Sequence, residues 1–281
     1  DDGEEIQPGR IYVARPDHKL LVDRGRVRVV RGPRENGHRP AIDSLFRTAA
    51  VSYGRRVVGA VLSGTLDDGT AGLAAIKERG GVAIVQDPDD ALYPGMPRSA
   101  LEAVAVDHRL PAADIAETLA RLAADPSDPA GDPPIHGDME LESAIAAFEP
   151  AALEDDRRPG TPSGFACPDC GGSLWEIEEG ELTRFRCRVG HAWAAGSLVA
   201  EQAEAVDAAL WTAFRALEER AALCRRITAR FEKRHGRNLS ARFARLAAEA
   251  KRRAEVLRQV LMTEPVVDAE LPGRGEAPID G

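Results

Sequence analysis

The sequence has little of several features that define whole classes of protein. Aromatic residues make up 5% of the 281 residues, cysteine occurs four times, and the formal net charge is −9. Four cysteines are too few for a disulfide-stabilised scaffold, and a negative net charge disfavours nucleic-acid binding, because phosphates attract a positive surface. No apolar run approaches the roughly 20 residues that cross a bilayer. We therefore expect no nucleic-acid partner and no membrane insertion.

The N-terminus carries neither a start residue nor a targeting signal. The chain opens with Asp1-Asp2-Gly3, and the opening segment lacks the pattern of a signal peptide. We expect the sequence to begin inside a longer polypeptide, and we expect that protein to be cytoplasmic.

Residues 1–123 have the pattern of an α/β domain. Alternating apolar and polar residues predict short strands at 10–15 and 20–30, while continuous apolar runs at 57–62 and 82–86 predict strands buried on both faces. Steps of three and four between apolar residues favour helices, which we place at 41–54, 71–79, 97–104 and 112–124. A strand, a helix and a second strand in succession indicate a parallel sheet.

The remaining residues fall into segments of distinct composition. Residues 124–163 are rich in proline and acidic residues, which indicates a solvated linker with one short helix at 139–148. Residues 198–262 have apolar positions at helical spacing, which predicts a long α-helical hairpin. Its basic run at 225–258 is interpreted as a solvated face. The proline-containing segment 263–281 is predicted to be a disordered tail.

Three of the four cysteines lie in residues 164–197, in two short pairs of candidate metal ligands. These are Cys167-Pro-Asp-Cys170 and Cys187-Arg-Val-Gly-His191. Three thiolates and one imidazole form a closed tetrahedral zinc site, which is structural because no position is left for water. Zinc would supply folding free energy on the order of 10 kcal/mol to a segment too small for its own core. The alternatives are unligated cysteines or a disulfide between Cys167 and Cys170.

Asp67 and Asp68 follow the apolar run at 57–62, where a loop leads into the next helix. In parallel α/β sheets, functional residues collect in loops at the carboxyl ends of strands. A carboxylate there can orient a histidine and stabilise its imidazolium form during acyl transfer. Alternatively, either carboxylate simply caps the helix that starts near Thr70.

Four ordered stretches extend this interpretation: GRIYVARPDHKLLV, NGHRPAIDSLF, VVGAVLSGTLDDGTAGLAAIKERGGVAIVQDP and YPGMPRSALEAV. They resemble the catalytic domain of CheB-type chemotaxis protein-glutamate methylesterases, and the resemblance covers residues 8–122. The resemblance implies a Rossmann-like α/β fold with a Ser-His-Asp triad and no catalytic cofactor. It also implies hydrolysis of glutamate methyl esters, and often deamidation of glutamines, on methyl-accepting chemotaxis receptors.

By motif match, the resemblance places the triad aspartate at Asp68, with Asp67 as its neighbour. Thr65 stands where a backbone N–H helps to form the oxyanion hole, and Leu66 replaces a family glycine. Gly95 and Met96 belong to a loop that matches a family motif near the active site.

The family's nucleophile and base have no counterparts at matching positions of this chain. The serine belongs to a Ser-Thr-Gly-Gly-type turn and the histidine to a Gln-His-Met-Pro-like motif, and neither motif occurs here. Ser63 is a poor substitute for the nucleophile, because it is not flanked by a glycine on each side as in a nucleophile elbow. We therefore expect no esterase activity from this chain alone.

The C-terminal half resembles the zinc-ribbon and helical extension of some stand-alone methylesterases of this family. The alternative function is therefore a protein-interaction module without hydrolytic activity. Such a module would dock a chemotaxis methyltransferase or kinase.

Overall fold

A computed structural model describes residues 1–124, 131–135, 137–180, 182–233 and 237–263. The described residues form two compact units, one up to Ala200 and one from Glu201 onward. The predicted disordered tail at 263–281 lies, apart from its first residue, outside the described residues.

The first unit begins with an antiparallel hairpin. Strands β1 (Lys19–Asp23) and β2 (Arg26–Val30) pair around Gly25, which has φ +78°. The predicted strand at 10–15 is wrong, since Ile11 is 92% exposed and no strand forms there. The free edge of β2 is taken instead by residues 3–6, where Gly3 N donates to Val27 O at 2.9 Å. The alternating segment therefore has no neighbouring strand to pair with.

A three-stranded parallel sheet follows. Its strands are β3 (Val58–Val61), β4 (Val82–Gln86) and β5 (His108–Leu110), in that order across the sheet. Its core consists of small and branched apolar side chains that include Val61, Leu73 and Val85. The predicted α/β class and parallel sheet are confirmed. In chain order, the elements are α1 (Ile42–Tyr53), β3 (Val58–Val61), α2 (Thr70–Glu78), β4 (Val82–Gln86), α3 (Gly95–Ala103), β5 (His108–Leu110) and α4 (Ala112–Ala124).

The acidic segment 124–163 is not wholly solvated, contrary to the expectation. It contains α5 (Gly137–Ala146) and α6 (Pro150–Glu154). Met139 packs in the core beside the parallel sheet, and Glu142 is 1% exposed because it pairs with Arg184 and Arg186. Composition indicates a charged segment, but it does not reveal buried partners more than 40 residues away.

A four-stranded antiparallel sheet completes the first unit. Its strands are β6 (Thr161–Ala166), β7 (Ser173–Glu179), β8 (Leu182–Cys187) and β9 (Ala192–Ala194), in that order across the sheet. Its core is one small cluster: Cys167, Leu174, Phe185, Cys187, Trp193 and Leu198. Small domains with so few buried side chains commonly gain stability from a metal or a docked neighbour.

Two long helices, α7 (Ala195–Glu232) and α8 (Arg237–Met262), confirm the predicted hairpin elements. In the second unit, the rings of Phe231 and Phe243 stack with centroids 6.1 Å apart, and Lys251 pairs with Glu218 at 2.8 Å. Among the helices in the described ranges, none combines the length and apolar character that a bilayer-spanning segment needs.

Candidate active site and metal site

The loop after β3 is held against the loop before α3 by reciprocal backbone hydrogen bonds. Gly64 N donates to Tyr93 O at 2.8 Å, and Met96 N donates to Gly64 O at 2.9 Å. A Cβ at Gly95 would lie 2.8 Å from Leu66 N, and one at Gly64 would collide with the Met96 sulfur. The clash at Gly95 is with backbone, so this position requires glycine, whereas the clash at Gly64 is with a flexible side chain. Gly95 thus lies against the backbone of Thr65 and Leu66.

Leu66 keeps the backbone conformation that a glycine would supply. Its φ is +63°, a left-handed value that branched or bulky residues rarely adopt. In the described part of the chain, the preceding Thr65 N–H donates to no acceptor. A free N–H at the carboxyl end of a strand can stabilise negative charge on a reacting oxygen.

Asp68 is buried and accepts three hydrogen bonds. Its Oδ2 accepts from Ile42 N at 2.9 Å, and its Oδ1 accepts from Asn36 Nδ2 at 3.2 Å and from Asp43 N at 3.3 Å. Ile42 and Asp43 begin α1, so this carboxylate accepts hydrogen bonds from N–H groups that have no partner within the helix. Its negative charge also interacts favourably with the positive end of the helix dipole.

The helix at Thr70 is capped by Asp43 rather than by Asp67 or Asp68, so the capping alternative is wrong for that helix. Asp43 Oδ1 accepts from Gly69 N at 3.0 Å and from Gly72 N at 2.7 Å. The carboxylate of Asp43, in α1, thus caps α2. The carboxylate of Asp68, in the loop before α2, caps α1. This exchange brings two buried acids close together.

Burial, together with the negative charge of Asp43, raises the pKa of Asp68 to about 7, although hydrogen bonds from Ile42 and Asn36 oppose the shift. Burial also raises the pKa of Asp43. Two adjacent acids of this kind titrate together. A cationic partner, such as an imidazolium, would favour the ionised form of Asp68.

Asp67 has a different set of contacts. Its carboxylate accepts hydrogen bonds from Ser197 N at 3.1 Å and from Ser197 Oγ. Ser197 lies in the first turn of α7, so Asp67 connects the loop to the end of the antiparallel sheet. Burial raises its pKa, although the bonds from Ser197 oppose that shift.

Asn36 is a site residue that the sequence analysis missed. Its Nδ2 donates to Asp43 Oδ2 at 2.8 Å and to Asp68, while its Oδ1 accepts from Ala194 N at 2.7 Å. It is 3% exposed. The Asn36-Gly37 step, typical of a turn, was the one local signal of an unusual backbone.

The four predicted metal ligands converge as expected. Their ligand atoms all lie within 4.8 Å of one another. Cys170 Sγ lies 3.7 Å from Cys187 Sγ, and Cys187 Sγ lies 3.5 Å from His191 Nδ1. A tetrahedral zinc ion with Zn–S bonds of about 2.3 Å and a Zn–N bond of about 2.0 Å separates its ligands by roughly these distances.

Two glycine-assisted turns present the ligand pairs. Gly171 N donates to Cys167 O at 2.8 Å, and Gly190 N donates to Cys187 O at 3.0 Å. The cysteines are free rather than disulfide-bonded. His191 Nε2 lies 3.9 Å from Asp169 Oδ2, beyond hydrogen-bond distance, while Nδ1 is the ring nitrogen near the sulfur of Cys187.

The comparisons agree on the first part of the chain. Residues 1–119 match the family model described as CheB methylesterase. A putative protein-glutamate methylesterase/protein-glutamine glutaminase of Leptospira interrogans is 45% identical over 123 residues, which are 43% of this chain and 64% of that protein. Protein-glutamate methylesterase/protein-glutamine glutaminase 2 of Pseudomonas aeruginosa is 40% identical over 44% of this chain and 36% of its own length.

A solved structure also matches. The crystal structure of the Thermotoga maritima CheB methylesterase catalytic domain is 35% identical, with a TM-score of 0.41 over 43% of this chain and 67% of that one. The chain thus spans less than two thirds of the length of the curated relatives described above. Over residues 1–119, the chain is similar to the CheB methylesterase family.

Proposed function

We propose that this chain contributes the orienting aspartate, Asp68, to a protein-glutamate methylesterase. The reaction is hydrolysis of a glutamate methyl ester on a chemoreceptor in the cytoplasm, and deamidation of a glutamine follows the same chemistry. The serine and the histidine come from a polypeptide segment outside residues 1–281.

The observation that carries this proposal is the buried Asp68 carboxylate in the loop after a parallel strand. The serine hydroxyl attacks the ester carbonyl while the histidine accepts its proton, and the N–H on the far side of the imidazole donates to Asp68. The raised pKa of Asp68 reflects a buried acid beside another acid. The imidazolium that forms during the reaction would relieve this repulsion.

Thr65 supports the proposal from the same loop. Its N–H meets no acceptor among the described residues and is available to the oxyanion of the tetrahedral intermediate. The hydrogen bonds of Gly64 to Tyr93 and Met96 hold the neighbouring backbone. A backbone donor does not depend on its own side chain, so a threonine side chain at this position is compatible with the role.

Methanol release from a methylated receptor peptide tests the proposal. The chain joined to the segment that supplies serine and histidine should release methanol, and a serine-reactive phosphonate should block it. The chain alone should neither release methanol nor react with the phosphonate. Phosphonate labelling of the chain alone would contradict the proposed origin of the nucleophile.

The second part of the proposal is a structural zinc ion held by Cys167, Cys170, Cys187 and His191. The sulfur–sulfur and sulfur–nitrogen distances fit a closed tetrahedron, which leaves no coordination position for substrate. Metal analysis should give one zinc per chain. A substoichiometric value after purification with zinc would contradict it.

A second candidate function rests on the helical hairpin. Val206, Trp211 and Val256 are exposed on its helices, and a docked partner would cover such apolar side chains. The hairpin would then dock a chemotaxis methyltransferase or kinase. Binding of the purified partner should be lost in a Trp211→Ala variant, and unchanged binding would contradict this role.

A further inference from the structure

Asn36 connects the metal-ligand region to the acid pair through a continuous series of hydrogen bonds. Its side-chain amide donates to both carboxylates, Asp43 and Asp68, and accepts from Ala194 N. Its backbone N–H donates to Ala192 O at 2.8 Å. Each polar atom of the side chain therefore has a partner, with the carboxylates on one side and strand β9 on the other.

The residue type suits this position. Asn36 has φ +53°, a left-handed value that asparagine adopts more readily than most residues. Only an amide offers donors for two carboxylates and an acceptor for a backbone N–H in a side chain of this length. An aspartate would bring a third negative charge, and a leucine would offer no polar atom.

Strand β9 is held by the candidate metal site. Ala192 directly follows the ligand His191, whose carbonyl accepts from Cys187 N at 2.9 Å. Ala192 N in turn donates to Arg34 O at 3.2 Å, so residues 34–36 run beside β9, where Glu35 and Ala192 form an isolated parallel bridge. The backbone that orients Asn36 is therefore one residue from a metal ligand.

We infer that Asn36 is a positioning residue for Asp68 and that the metal-bearing sheet, acting through Ala192 and Ala194, fixes its amide. The role of Asn36 in catalysis depends on the proposed function of Asp68. The hydrogen bonds themselves are independent of it. Without them the amide would be free to rotate, and the two acids would lose the donor that lies between them.

The test follows protonation of Asp68 in the zinc-loaded chain, by ¹³C NMR of labelled aspartate carboxyls. The Asp68 signal is assigned by its loss in Asp68→Asn. Asn36→Gly tolerates the positive φ and removes the amide, so the titration midpoint of Asp68 should rise by about one pH unit, because a donor to the charged form is lost. An unchanged midpoint would overturn the inference.

Ser52→Ala is the matched control. It removes a partly buried tertiary hydrogen bond, from Ser52 Oγ to Val22 O at 3.0 Å, from the same unit without touching Asp68. The midpoint should not move in this variant. An equal shift in the control would show a general effect of destabilisation and would overturn the positioning role.

Ala194→Pro tests the contribution of the sheet. It deletes the one N–H that donates to Asn36 Oδ1 and leaves all four metal ligands in place. Zinc content should stay at the wild-type level, the amides of Ile84 and Val85 should remain protected from exchange, and the Asp68 midpoint should rise. A wild-type midpoint in this variant, or loss of protection in β4 together with a shift, would overturn the link.

The readout separates this inference from the proposed esterase activity. Shifted midpoints with no methanol release from the joined enzyme would reject the proposed function alone. Methanol release with unshifted midpoints would reject the positioning role alone.

Discussion

Glu142 Oε2 lies 2.6 Å from Arg184 Nη2, with both side chains buried. The same carboxylate accepts from Arg186 Nε at 2.9 Å. The arginines hold the pKa of Glu142 well below its usual range, even though burial opposes this shift. Helix α5 is thus attached to strand β8 by an ionised carboxylate.

Glu142→Gln should lower the free energy of unfolding by about 3 kcal/mol, because it leaves buried guanidinium groups without their counter-charge. Glu140 lies on the same helix and is exposed, so Glu140→Gln is the matched control, expected to change stability by less than about 0.5 kcal/mol. Urea unfolding measures both. Equal effects of the two variants would contradict the buried pairing.

Leu66 offers a test of backbone strain. Leu66→Gly and Leu66→Ala remove nearly the same side chain, but only glycine adopts φ +63° without a penalty. The glycine variant should be more stable than the alanine variant by about 1 kcal/mol in urea unfolding. If the alanine variant is the more stable, Leu66 does not have a left-handed backbone in solution.

Stability should depend on pH through Asp68. Its pKa is about 7 in the folded chain and about 3.9 in an unfolded one, so between these values only the folded state keeps the proton. The contribution of Asp68 to the free energy of unfolding therefore falls as pH rises from 4 to 7, by at most about 1.4 kcal/mol per pH unit.

Asp68→Asn removes this dependence. The stability difference between wild type and Asp68→Asn, from urea unfolding at pH 5, 6 and 7, should shift in favour of the variant as pH rises. Above pH 8 the difference should level off. A constant difference from pH 5 to 7 would mean that Asp68 is ionised throughout this range.

Cysteine substitution distinguishes ligands from core residues. If the site holds zinc, Cys170→Ser should lower the zinc content and shift tryptophan fluorescence to the red, because Trp193 is buried in the core of the antiparallel sheet beside the candidate ligands. Cys224 is buried within the hairpin, so Cys224→Ser should keep full zinc content. Zinc loss in the Cys224 variant, or none in the Cys170 variant, would contradict the ligand assignment.

Local patterns predicted the elements that local interactions form. The apolar run at 82–86 became β4, the helical periodicity at 41–54 became α1, and the two ligand pairs converged at one site. The segment at 10–15 was misjudged, because alternation does not reveal whether a partner strand exists.

The missed features depend on contacts between distant parts of the chain. Ser197 and Asp67 are 130 positions apart, and Asn36 and Ala194 are 158 apart. Glu142 lies in a segment whose composition indicates a solvated linker, and only the folded structure shows that it pairs with the buried Arg184. The spacing of apolar residues along the sequence does not indicate such long-range contacts. The residues that surround Asp68 could therefore be identified only from the folded structure.

The role of Asp68 is tested most directly by comparing it with its neighbour. In the proposed enzyme, kcat for methanol release should fall by roughly 10⁴ in Asp68→Asn and by less than about tenfold in Asp67→Asn, which alters a contact to Ser197 instead. A kcat that is unchanged in Asp68→Asn, or equally reduced in both variants, would contradict the assignment.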